Sequence, residues 1–75
     1  MPALEGMVAV ESSAILRIRY RPKGHELLVT FVSGKTYAYI DVPESVYDAF
    51  IAASSHGAYF NEQIRDRYSY RLVSD

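Results

Sequence analysis

From Ala14 to Tyr20 the chain alternates, with Ala14, Leu16, Ile18 and Tyr20 on one side and Ile15, Arg17 and Arg19 on the other. Period two with β-branched residues predicts a strand with one buried face. Arg21-Pro22-Lys23-Gly24-His25 follows as a hairpin turn, in which Pro22 fixes φ and Gly24 supplies a positive φ. A second strand is predicted from Glu26 to Val32, with Leu27, Val29 and Phe31 inward. Ser33-Gly34 reads as a two-residue hairpin connection into a third strand, Lys35 to Val42. There Tyr37 and Tyr39 share one face while Thr36, Ala38, Ile40 and Val42 share the other, so both phases stay open. A bulge near Ile40 would turn the tyrosines and Val42 the same way.

The pattern then changes period. Asp41-Val42-Pro43-Glu44 is a helix start, with Asp41 as N-cap and Pro43 early in the first turn. A helix from Glu44 to Ala53 places Val46, Tyr47, Phe50 and Ile51 on one stripe, which covers one face of the sheet. Ser54-Ser55-His56-Gly57 breaks it, and Ser55 caps a second short helix with Phe60 and Ile64 one turn apart. Beyond Arg65, Tyr68, Tyr70 and Leu72 are in phase and predict a short C-terminal edge strand or a docked tail. The fold class is therefore α+β: a three-stranded antiparallel meander followed by two short helices on one sheet face. Residues 1–11 are set apart as an N-terminal segment and 12–75 form a single domain.

Seventy-five residues without Cys hold one thin core, with no disulfide and no thiolate zinc site to reinforce it. The first ten residues lack a basic start, and their apolar run is too short for a signal peptide or a membrane span, which predicts a cytoplasmic protein. Aromatic residues make up 13% of the chain, seven Tyr and three Phe. Tyrosine suits a thin domain, because its ring buries while its hydroxyl reaches water or a partner.

Catalysis finds little support. His25 and His56 are far apart, with no HxxxH or HxH spacing for a metal, and are expected to be exposed or to make local hydrogen bonds. The glycines are single, so no phosphate-cradling loop is present, and Ser54 and Ser55 lack a GxSxG elbow and read as helix caps. No cofactor is implied.

What remains is basic and aromatic. Arg17, Arg19, Arg21 and Lys23 form one group, and Arg65, Arg67 and Arg71 another beside Tyr68 and Tyr70. Guanidinium forks engage phosphates and rings stack on unpaired bases, so a sheet face bearing both can hold single-stranded RNA. The candidate nucleic-acid contacts are Arg17, Arg19, Tyr37, Tyr39, Arg65 and Arg67. With a formal net charge of −1, any such attraction comes from charge placement and not from the total. Against this reading, solvent-facing strands commonly carry Arg, and rings opposite an apolar helix stripe are more often core.

Ser12-Ser13-Ala14-Ile15, Tyr20, Gly34, Tyr37-Ala38-Tyr39, Val42-Pro43, and Ser55-His56-Gly57-Ala58-Tyr59-Phe60-Asn61 with Ile64-Arg65 together resemble the KTSC domain. That family is found at the C-terminus of some lysyl-tRNA synthetases and as small stand-alone bacterial proteins. The resemblance runs from Ser12 to Arg65, and its attachment to a tRNA-charging enzyme implies RNA as a partner. The leading expectation is a non-enzymatic RNA- or nucleic-acid-binding module. The alternative is a protein-interaction or homodimerising domain, which would use the unpaired edge of the first strand for β-augmentation.

Overall fold

In the computed structural model, which describes residues 7–9 and 14–74, a five-stranded antiparallel sheet runs in the order of the chain. Its strands are β1 (Met7–Ala9), β2 (Ile15–Arg21), β3 (Glu26–Phe31), β4 (Thr36–Tyr39) and β5 (Tyr70–Ser74). Between β4 and β5 the chain leaves the sheet for α1 (Glu44–Ala52), α2 (His56–Tyr59) and a π-helical turn over Phe60–Ile64. The α+β meander with helices on one face is as expected, and the C-terminal segment does form the edge strand. The N-terminal segment supplies a fifth strand, since Met7, Val8 and Ala9 pair with Arg19, Ile18 and Arg17. Ser12 and Ser13 lie outside the described residues.

Register sorts the sheet into two faces, because directly opposed residues point the same way. Ile18–Val29–Tyr37–Leu72 and Tyr20–Leu27–Tyr39–Tyr70 are rows of the inner face. Their central members join Ile15, Val42, Phe50, Phe60 and Ile64 in the core. Val46, Tyr47 and Ile51 pack on that core from α1, as the helix stripe predicted.

The first strand departs from simple alternation. Ile15 is buried at 1% exposure and Leu16, expected inward, is 42% exposed. The register skips a residue between Ile15 and Arg17, so a bulge at Leu16 reverses the phase upstream of it. The bulge expected at Ile40 is replaced by Asp41, whose φ of 57° turns the chain so that Tyr39 and Val42 both face the core. Asp41 is thus a left-handed corner and not the N-cap. That position belongs to Pro43, whose carbonyl accepts from the Val46 and Tyr47 amides.

Both hairpin loops also differ in detail. In the first, Gly24 has no positive φ; the left-handed residue is His25, at 52°. The second is a three-residue loop: the Gly34 amide donates to Phe31 (2.8 Å) and the Phe31 amide to Lys35 (2.9 Å). Gly34 sits at φ 100°, which returns the strands to register. Ser55 caps α2 as predicted, its Oγ accepting from the Ala58 amide at 3.2 Å.

Candidate nucleic-acid interface

The six residues picked out from sequence separate into two places. Arg17 and Arg19 lie on the outer face, in the rows Arg17–Thr30–Thr36–Ser74 and Arg19–Leu28–Ala38–Arg71, while Arg21 pairs with Glu26 on the same side. Arg71, grouped in sequence with Arg65 and Arg67, is brought to this face by β5. Among the described residues, four guanidinium groups therefore share it with the Glu26 carboxylate. Glu26 accepts from Arg71 Nη1 at 2.8 Å and lies 3.6 Å from Arg21 Nη1. Among the described residues, Arg17 and Arg19 have no carboxylate partner. Leu28 and Ala38 are buried between Arg19 and Arg71, a setting suited to the aliphatic stems of arginine. Thr30 and Thr36 share a hydroxyl hydrogen bond of 2.8 Å, which fixes that row.

The tyrosines occupy the other face. Tyr39 is 4% exposed and belongs to the core, and Tyr37 packs against it. Arg17 and Arg19 therefore do not share a sheet face with Tyr37 and Tyr39, because period two sends the two pairs to opposite sides. Arg67 is separate again, its Nε donating to the Glu62 carbonyl at 3.1 Å.

Arg65, however, meets Tyr37 and Tyr39 in a solvent-open cleft of about 590 Å³, between the inner face and the π-helical turn. Five rings line it, and their contacts close into a circuit. Phe31 meets Tyr37 at 5.9 Å, Tyr37 meets Tyr70 at 5.5 Å, Tyr70 meets Tyr39 at 5.4 Å, Tyr39 meets Phe60 at 5.5 Å, and Phe60 meets Phe31 at 5.3 Å. Four of these are edge-to-face, the arrangement favoured by ring quadrupoles. Lys35, Asn61, Arg65 and Asp66 supply polar groups to the lining.

The π-helical turn explains how Arg65 arrives there. Its amide donates to the Phe60 carbonyl five residues back at 2.8 Å, the wide turn of a π-helix. Phe60 and Ile64 are both buried, while Asn61 Oδ1 and Arg65 Nη1 come within 3.5 Å beside the cleft. Burial is the main cause that pushes the Tyr39 hydroxyl up to about 12, with Tyr70 and Tyr37 adding and Arg65 opposing.

Sequence reasoning missed Phe31, Lys35, Phe60, Asn61 and Tyr70 as parts of one site. Lys35 is the one cation outside both sequence groups, and only its place beside the hairpin loop brings it to the cleft. His56 is absorbed locally, with Nε2 3.3 Å from the Ile51 carbonyl and its ring against Phe50. Among the described residues no cluster of three or more His, Cys, Asp or Glu is placed to hold a metal. No described helix is long and apolar enough to cross a membrane.

The chain is similar to several known proteins. It is 40% identical to a protein of Tsukamurella paurometabola over 83% of this chain and 92% of that one. An uncharacterized protein of Stutzerimonas stutzeri is 36% identical over 81% of this chain and 86% of its own length. A lysine–tRNA ligase of Nostoc punctiforme is 34% identical over 85% of this chain, which spans only 11% of that enzyme. The crystal structure of a KTSC domain protein from Yersinia pestis superposes with a TM-score of 0.85 at 35% identity, covering 91% of this chain and 96% of that one. Together with the match of the KTSC domain family model to residues 11–68, these likenesses establish that the chain belongs to the KTSC domain family.

Proposed function

We propose that this domain is a non-enzymatic nucleic-acid-binding module that grips the phosphate backbone with the outer face of its sheet. The observation that carries the reading is the row Arg19–Leu28–Ala38–Arg71, with Arg17 one row along and neither Arg17 nor Arg19 engaged by a described carboxylate. Three strand spacings separate Arg19 from Arg71, on the order of 14 Å, so the face presents spaced cations and not a single point charge. The strands fix the spacing of their backbones, and the planar guanidinium fork suits phosphate. The domain's likeness to part of lysine–tRNA ligases favours RNA among nucleic acids.

The test is fluorescence anisotropy with short single-stranded RNA over a salt series. Affinity falls steeply with salt, and Arg17→Ala or Arg19→Ala weakens binding for all sequences alike while lowering the salt slope by about one each. Binding that ignores salt, or that survives loss of both arginines, refutes the reading.

Self-association is the second reading, and β5 favours it. The first strand's edge, where it was expected, is occupied by β1 at Arg17–Arg19. β5 pairs with β4 alone and exposes Tyr70, Leu72 and Val73 at 57%, 50% and 46%. A row of unpaired backbone groups beside apolar side chains is a template for a second copy. Sedimentation equilibrium decides it: a mass that stays monomeric at high concentration eliminates this reading.

A further inference from the structure

The ring-lined cleft lies on the opposite side of the sheet from the arginine face and has no part in gripping the backbone there. Its size falls in the range of small-molecule sites. A circuit of five aromatic rings is also how proteins hold quaternary ammonium groups, by attraction to ring faces. The charges here argue against such a cation: among the described residues of the lining, Lys35 and Arg65 stand with one carboxylate, Asp66, so that lining is net positive. Aromatic walls with two cations complement a flat ring that carries a negative group. Asn61 and Asp66 offer an amide and a carboxylate, the groups that read the edges of a base.

We propose that this cleft binds one nucleotide unit, its base against the rings of Tyr37, Tyr70 and Phe60 and its phosphate on Lys35 and Arg65. The choice of a base over other flat anions rests on the nucleic-acid reading above. The same chemistry is offered by a free nucleotide and by an unpaired residue of single-stranded RNA. Tyr37 and Tyr70 already stand edge to face at 5.5 Å, and Tyr70 on the exposed edge strand has room to swing onto a base.

The test is a two-dimensional NMR titration of the whole labelled chain with nucleoside 5′-monophosphates, the matching nucleosides and a trinucleotide RNA. The proposal expects the monophosphates to shift Gly57, Asn61, Arg65 and Tyr70 and leave Arg17 and Arg19 unmoved. Nucleosides are expected to bind about tenfold more weakly, and Lys35→Ala or Arg65→Ala to remove most of that difference, as loss of a charge-assisted contact would. Tyr70→Ala weakens both ligands, and because its ring also touches Tyr39 and Tyr37, a urea midpoint is taken beside each titration to confirm that the variant is folded. Monophosphates alone binding identifies a free nucleotide as the source, and a tighter trinucleotide identifies RNA. Either supports the proposal. No shift in the cleft with any ligand, or nucleosides binding as well as monophosphates, overturns it. Shifts confined to Arg17, Arg19 and Arg71 with the trinucleotide sink the cleft proposal and leave the backbone reading intact; shifts confined to the cleft do the reverse.

Discussion

The Tyr20 hydroxyl donates to the Val42 carbonyl at 2.6 Å, tying β2 to the corner where the chain leaves the sheet for α1. The Val42 amide donates in turn to the His25 carbonyl at 2.9 Å, and the Tyr20 ring stacks on Tyr47 of α1 at 5.0 Å. One tyrosine thus fixes both the corner and the helix over the sheet. Tyr20→Phe keeps the stack and strands a buried carbonyl, so a loss of about 1–2 kcal/mol is expected from urea unfolding. A loss below a few tenths would show that water replaces the hydroxyl.

Two loop residues give a paired prediction of opposite sign. Gly34→Ala meets no neighbouring atom, so its cost is backbone strain alone, about 1 kcal/mol. His25→Gly relieves a left-handed residue and is expected to stabilise by roughly 0.5–1 kcal/mol, net of the chain entropy of glycine. Thermal melts of the two variants should move in opposite directions.

The bulge in β2 is tested by neighbours. Ile15→Ala should cost about 2–4 kcal/mol, as a buried core truncation, and Leu16→Ala well under 1. Simple alternation predicts the reverse order, so denaturation midpoints of the pair separate the two phases.

Alkali should unfold the domain through its tyrosines. The Tyr39 hydroxyl is held up to about 12 in the fold, chiefly by burial, against an ordinary value near 10. Its contribution is complete below about pH 10, where folded and unfolded chains are both protonated. Between there and about 12 the unfolded chain binds fewer protons than the native one, so stability falls as pH rises. Tyr20 and Tyr47, also raised by burial, act with the same sign. Tyr39→Phe should flatten the decline in urea midpoint above about pH 10; an unchanged slope would assign the effect elsewhere.

Much of this was legible where the signal is local. Val46, Tyr47, Phe50 and Ile51 declare one helix face by spacing, and Ser55 declares its cap by chemistry. Leu16 misled because a bulge leaves no mark on an alternating run. Gly24 misled because glycine permits a positive φ without requiring it, and His25 took that conformation instead. The outer arginine face was half visible: Arg17 and Arg19 share it by period two, but Arg71 arrives 45 residues beyond Glu26 through the pairing of β5. The cleft was hidden for the same reason, since its rings come from β3, β4, the π-helical turn and β5.

That β5 stands at the edge, paired only with β4 and exposed along its whole length, bears on how the molecule breathes. Such a strand unzips at a fraction of the cost of global unfolding, and its amides exchange with solvent hydrogen first. Because Tyr70 rides on it, one wall of the cleft belongs to an exposed edge strand of the sheet, and occupancy there would be written in slowed exchange along Tyr70–Ser74. Were the proposed nucleotide to bind there, fraying and closure of this edge strand would admit and retain it without a separate lid.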